Sequence, residues 1–197
     1  MEAAAGCGRA PLDVARAFLA GGARFIQLRA KTMAGGAFLE LAAALVDLAR
    51  RDAAVVIVND RPDIARLSGA TGVHVGQDDL SPGDVRAVTG ADAIVGLSTH
   101  TTAQIEWAVS EPIDYVAVGP VFGTATKATG YQAVGLDLVR AAAIRARAAG
   151  KPLVAIGGIT LETAPSVVQA GAASIAVISD LLSEPERRVR QYLQALA

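Results

Sequence analysis

Only three lysines accompany fifteen arginines in this sequence, and two of the three, Lys31 and Lys127, fall in short polar stretches that follow apolar runs. Seven such stretches recur along the chain: Gln27-Leu28-Arg29-Ala30-Lys31, Asn59-Asp60, Gln77-Asp78-Asp79, Ser98-Thr99-His100, Thr124-Ala125-Thr126-Lys127, Gly157-Gly158 and Ile178-Ser179. Their common chemistry is anion binding. Arg29 offers a planar fork matched to phosphate oxygens, and Lys31 and Lys127 offer mobile point charges. Asp60 and Asp79 add carboxylates beside these cations, a combination that suits Mg²⁺, which takes one or two carboxylates together with phosphate oxygens and water. Simple ion pairing of Asp60 and Asp79 with Arg29 and Lys31 explains the same spacing equally well, and Asp60 could instead cap a helix starting at Pro62. Gly157-Gly158 and Ile178-Ser179, joined by the hydroxyls of Thr124 and Thr126, suggest a second anion site built from backbone N–H groups. The two sites together would suit a metal-bound diphosphate and a monophosphate.

These stretches need elements to position them, and the apolar pattern supplies them. Strands are expected at residues 24–28, 54–58, 72–75, 93–97, 115–119, 153–156 and 174–178, each nearly continuously apolar, as strands covered on both faces are. Helical periodicity separates them: Phe38, Leu41, Ala42, Leu45 and Leu48 recur at three- and four-residue spacing. Ser81-Pro82-Gly83-Asp84 and Ser183-Glu184-Pro185-Glu186 read as helix starts, and Gly21-Gly22 and Gly150 as stops. Strict alternation implies a parallel sheet, open or closed. No Gly-x-Gly-x-x-Gly follows the first strand, and the units are short and regular, so the expected fold is a single-domain (β/α)8 TIM barrel over residues 1–197. Every polar stretch then lies on one rim, the C-terminal face where barrel active sites sit. The count is one short. A helix over 12–20 has no strand before it, residues 1–10 are too rich in alanine and glycine to form one and are expected to be poorly ordered, and 197 residues is below the roughly 250 usual for the fold. We therefore expect the first barrel strand to be missing, through a start placed too late.

Composition narrows the classes further. With 52% hydrophobic and 19% charged residues, the 197-residue chain is neither disordered nor collagen-like. A net charge of −1 argues against nucleic acid as partner, and no apolar run reaches membrane-spanning length. Cys7 is the sole cysteine, which leaves no intramolecular disulfide and favours the reducing cytoplasm. Small phosphorylated molecules are the expected partners, and homo-oligomerisation is left open.

Six motifs in order, Gln-Leu-Arg-x-Lys (27–31), Val-Asn-Asp (58–60), His-x-Gly-Gln-x-Asp (74–79), Gly-x-Ser-Thr-His (96–100), Gly-Pro-x-Phe-x-Thr-x-Thr-Lys (119–127) and Ile-Gly-Gly-Ile (156–159), resemble the thiamine-phosphate synthase family from about Gly8 onward. The resemblance implies a (β/α)8 enzyme that joins a hydroxymethylpyrimidine diphosphate to a thiazole phosphate and releases pyrophosphate. It further implies that Gln27, Arg29, Lys31 and Asn59 bind the pyrimidine diphosphate, that Asp60 and Asp79 hold Mg²⁺, and that Ser98 and Lys127 contact the same substrate and its diphosphate. Thr124, Ala125, Thr126, Gly158, Ile178 and Ser179 would hold the thiazole phosphate, with Arg29, Lys31, Ser98 and Lys127 carrying the catalysis. The implied reaction is dissociative and needs no general base, so His74, inside a strand, is read as structural and His100 as ordering its loop. Two rivals share the barrel: a thiazole tautomerase, which needs no diphosphate–metal site, and a phosphate-binding barrel without turnover. The complete motif set disfavours both.

Overall fold

The computed structural model describes residues 8–123 and 131–197. The start expected to be poorly ordered falls largely on residues 1–7, and the expected site residues Thr124, Ala125, Thr126 and Lys127 fall on 124–130; both segments lie outside the described residues. Strands and helices alternate: α1 (Pro11–Ala20), β1 (Phe25–Leu28), α2 (Gly35–Arg50), β2 (Val55–Asn59), α3 (Pro62–Ser68), β3 (Gly72–Val75), α4 (Pro82–Thr89), β4 (Ile94–Thr99), α5 (Thr102–Ala108), β5 (Tyr115–Val118), α6 (Gly135–Ala148), β6 (Leu153–Ile156), α7 (Ala164–Gln169), β7 (Ser174–Ala176), a 3₁₀ turn (Ser179–Leu181) and α8 (Pro185–Ala195). All seven strands are parallel and pair in chain order, β1 through β7.

Two layers of side chains result from the period of two along each strand. Ile26, Leu28, Val56, Val58, Val73, Val75, Val95, Leu97, Val116 and Val118 face the helices and are buried with Phe38, Ala42 and Leu45 of α2. At about 25 cal/mol per Å² of apolar area, this continuous sheet–helix layer is the main stabilising feature of the domain. The alternate residues face inward. The ring of Phe25 on β1 meets that of Tyr115 on β5 edge-on, with centroids 5.9 Å apart, although four strand steps separate them in the sheet. Only a curled sheet brings those faces together.

The helices close the circuit. Gly21, at the end of α1, sits so near α8 that an added Cβ would lie 2.7 Å from the Glu186 carbonyl oxygen and 2.8 Å from Val189 Cβ. Arg9 Nη2 donates to the Ser183 carbonyl at 3.1 Å. Among the described residues, however, β1 and β7 each have one strand neighbour, and the side chains beside that gap are open, with Phe25 51% exposed. The structure therefore has a curled seven-stranded parallel sheet with helices packed outside it, and no eighth strand among the described residues.

Helix starts follow local chemistry. Ser81 Oγ accepts from the Asp84 amide at 3.2 Å, as its spacing predicts. Ser183 differs: Glu184 is the residue flanking α8, and its side chain makes no capping bond. The Arg61 position, not Asp60, precedes α3, so the capping role considered for Asp60 is not the one it takes. No helix among the described residues is long and apolar enough to cross a membrane.

Candidate active site

Asp60 is where the mouth begins to differ from an ordinary strand end. It follows β2 with φ of 63°, a left-handed conformation that Asp tolerates better than most residues, and its amide donates to the His74 carbonyl at 2.8 Å. Its carboxylate accepts from Lys31 Nζ at 3.0 Å; the Lys31 side chain is half exposed and that of Asp60 mostly covered. Asp79, beyond β3, accepts the Gly76 amide through Oδ2 at 2.7 Å. The two carboxyl groups also contact each other. Burial, together with Asp79's charge and hydrogen bond, raises the Asp60 carboxyl above the usual carboxylate range against the opposing pull of Lys31. Asp60 thus takes Lys31 as its ion-pair partner, one of the pairings that the spacing allowed, and stands beside a second carboxyl group.

A polar row lies beneath the mouth. Asn59, His74, Gly96 and Tyr115 are register partners across β2 to β5. Gly96 has no side chain to separate its neighbours, and a Cβ there would lie 2.0 Å from Tyr115 Cζ. The Tyr115 ring therefore lies across Gly96 and stacks beside His74, with centroids 5.6 Å apart. His74 Nδ1 is 2.9 Å from Tyr115 Oη, and His74 Nε2 is 2.8 Å from Ser98 Oγ. Gln27 hydrogen-bonds the same phenol from β1, and burial of the ring raises its pKa. Asn59 is only 5% exposed. Ser98 is held through its backbone as well, because Gln77 Nε2 donates to its carbonyl at 2.7 Å.

The far side of the rim is glycine and backbone. Gly157 and Gly158 have φ of 100° and 65°, and a Cβ on Gly158 would lie 2.6 Å from the Gly123 carbonyl oxygen. Only glycine satisfies both the left-handed backbone and that approach. Ile178 leads into the 3₁₀ turn that begins at Ser179. Asp180 in that turn takes an ion pair from Arg188 and a hydrogen bond from the Tyr192 hydroxyl, which ties the turn to α8. Burial pushes the Asp180 carboxyl up, but the Tyr192 and Arg188 hydrogen bonds outweigh it and hold the group below the usual range.

The structure thus gathers Gln27, Lys31, Asn59, Asp60, Asp79 and Ser98 through contacts with one another or with shared neighbours. Arg29 stands between Gln27 and Lys31 just past β1, and Gly158, Ile178 and Ser179 follow β6 and β7. His100 belongs to the neighbouring strand end: its amide donates to Gln104 Oε1 at 2.7 Å, Nδ1 contacts the Gly119 carbonyl, and its ring stacks on Tyr131 at 3.7 Å. That accords with a loop-ordering role. Sequence reasoning did not single out Tyr115 or the Asp180–Arg188–Tyr192 anchor, and it placed Gln77 on the rim without a role. For Tyr115 a signal existed, since a tyrosine opening an otherwise apolar strand opposite a glycine is an inward polar group with room made for it. For the anchor, with partners eight and twelve residues along the chain, there was none.

A profile of the thiamine monophosphate synthase family matches residues 2–181. The thiamine-phosphate synthase of Koribacter versatilis is 44% identical over 184 residues, covering 92% of this chain and 84% of that protein. That of Mycolicibacterium smegmatis is 46% identical over 175 residues, covering 84% and 76%. Among solved structures, the thiamine phosphate pyrophosphorylase of Pyrococcus furiosus superposes with a TM-score of 0.87 at 28% identity, covering 95% of this chain and 89% of that one. The motifs on the rim, the curled parallel sheet that carries them and the matches along nearly the whole chain agree: this chain belongs to the thiamine monophosphate synthase family.

Proposed function

We infer that this chain makes thiamine phosphate, as a transferase that joins hydroxymethylpyrimidine diphosphate to thiazole phosphate and releases pyrophosphate. The observation that carries the reading is the meeting of Lys31, Asp60 and Asp79 at the mouth, cation and paired carboxylates together. We take the fold as a (β/α)8 barrel with one strand position open between β7 and β1. The packing of α1 on α8 supports this, since those helices would flank that position.

Two carboxyl groups in contact, one with a raised pKa, are stable together when a proton or a cation lies between them. Among the described residues no group of three or more His, Cys, Asp or Glu converges. Two carboxylates are hard oxygen donors, a set that fits a cation keeping further oxygens from substrate and water, and Asp60 and Asp79 would hold Mg²⁺. Bound there, Mg²⁺ supplies positive charge to the diphosphate oxygens.

In the reaction, the bond between the methylene carbon and the diphosphate oxygen breaks, and its electron pair leaves with pyrophosphate. The thiazole nitrogen then donates its lone pair to the pyrimidine-methyl cation, closing the C–N bond. That nitrogen carries no proton, so no base is required. Arg29, Lys31 and Lys127 stabilise the charge that grows on the leaving group. Gln27, Asn59 and Ser98 orient the pyrimidine diphosphate, while Gly158, Ile178 and Ser179, with Thr124, Ala125 and Thr126, hold the thiazole phosphate in line. The test is direct. Incubated with Mg²⁺ and both substrates, the protein should release thiamine phosphate and pyrophosphate in equal amounts, and activity should disappear with chelator and return with Mg²⁺. Binding of either substrate without product refutes the reading.

A further inference from the structure

Four inward side chains from four strands form one hydrogen-bonded series: Gln27 of β1, Tyr115 of β5, His74 of β3 and Ser98 of β4. Counting protons gives the series a direction. The Tyr115 phenol, on a residue 5% exposed, has a single proton of its own. His74 Nδ1, at 2.9 Å, is the acceptor in reach of that proton. Nδ1 is then the unprotonated nitrogen, and the ring carries its hydrogen on Nε2. Nε2–H in turn donates to Ser98 Oγ at 2.8 Å. The opposite tautomer would aim an N–H at the phenol oxygen and take His74 Nδ1 away as acceptor for the phenol proton in the interior. A buried donor without an acceptor is costly, and no buried side-chain N or O among the described residues lacks a partner. Because Ser98 Oγ accepts from below, its own hydrogen is left for the mouth above. Gly96 keeps the tyrosine in this row, and Gln77 holds the Ser98 backbone.

We propose that Tyr115 and His74 are positioning residues that hold the Ser98 hydroxyl as a hydrogen-bond donor directed into the mouth, toward an acceptor atom of the pyrimidine diphosphate. This rests on the function inferred above. The acceptor is either a diphosphate oxygen or a ring nitrogen, and the two have opposite kinetic signatures. A donor on the departing diphosphate strengthens as charge develops, so losing it lowers kcat. A donor on the ring nitrogen opposes formation of the cation, so losing it raises KM instead.

The first measurement uses ¹⁵N-histidine-labelled protein without substrate, where the imidazole correlations of His74 should show the neutral Nε2–H tautomer. Tyr115→Phe, nearly isosteric, should release that preference and lower kcat/KM by about 10-fold, with the kcat–KM split naming the acceptor. His74→Gln keeps an N–H for Ser98 and should retain about 10-fold more kcat/KM than His74→Leu. An Nδ1–H tautomer in the unsubstituted protein overturns the proposal, as does a folded Tyr115→Phe with unchanged tautomer and turnover. Should His74→Leu fail to fold, the Tyr115→Phe pair of readouts decides. If the unsubstituted protein makes no thiamine phosphate, the functional reading falls while the tautomer stands. The affinities of Ser98→Ala for inorganic pyrophosphate and for the free hydroxymethylpyrimidine then decide: weakened binding of either upholds the donor, and unchanged binding of both refutes it.

Discussion

Asp60→Asn separates the demands of the reaction from those of the fold. Asparagine keeps the size of aspartate and tolerates the φ of 63° at this position. The substitution removes the ion pair with Lys31, whose side chain is 52% exposed, and an ion pair that open contributes about 0–1 kcal/mol. It also removes a carboxyl whose pKa is raised by burial and by Asp79. The folded state binds that proton more tightly than the unfolded state, so ionising Asp60 costs stability. The cost is absent below the unfolded value near 3.8 and complete above the folded one. At pH 7 the substitution therefore relieves one penalty while losing one weak attraction, and the unfolding free energy should stay within about 1 kcal/mol of the parent. Turnover should not. Loss of a preorganised group acting on developing charge lowers kcat by about 10²–10³-fold, or ~2.7–4 kcal/mol. Urea unfolding gives the first quantity, and thiamine phosphate formation at saturating Mg²⁺ and substrates the second. Linkage gives a third: Mg²⁺ at 100 times its Kd should stabilise the parent by about 2.7 kcal/mol and the variant far less. Near-normal kcat in Asp60→Asn refutes the leaving-group argument, and a stability loss of several kcal/mol assigns Asp60 to the fold instead.

Gly158→Ala meets both a left-handed backbone and a carbonyl oxygen 2.6 Å from the new methyl; it should lower stability by about 1–3 kcal/mol and raise KM for the thiazole phosphate more than for the diphosphate, as steady-state kinetics with each substrate varied will show. Asp180→Asn should destabilise at neutral pH: the depressed carboxyl of Asp180 contributes stability above the unfolded value near 3.8 and loses it as pH falls through the lower folded value, so melting curves of parent and variant should converge in acid. Lys127→Ala should lower turnover by about 10²-fold with little change in melting temperature, and equal kcat in the two proteins would remove Lys127 from the leaving group.

How much of this was legible in the sequence depended on which layer a residue joins. Strands at 72–75 and 153–156 have the bounds that the apolar runs predict, because both faces of those segments are covered. β4 runs on to Thr99, past its apolar run, since Ser98 faces inward and Thr99 Oγ1 donates to the Ala117 carbonyl at 2.9 Å. β7 stops at Ala176, before the expected 178, where the chain turns toward Ser179. Rim residues with charge were visible, because Lys31 and Asp60 interrupt an apolar pattern. The inward row was not. His74 reads as a polar residue caught in a strand until Gly96 and Tyr115 are seen beside it, and that juxtaposition depends on register, which periodicity alone does not supply.

The packing of α1 on α8 also bears on the order in which the molecule folds. Its contacts join residues roughly 170 apart, whereas each strand pairs with the next after a single helix. Loop closure makes such long contacts late to form, so the sheet can assemble by local steps before the ends meet. Substitutions at Gly21, where α1 meets Val189 of α8, should then speed unfolding and leave the refolding rate nearly unchanged in a chevron plot. The α1–α8 seam would act as a latch on an assembled sheet, governing how long the native state lasts more than how fast it is reached.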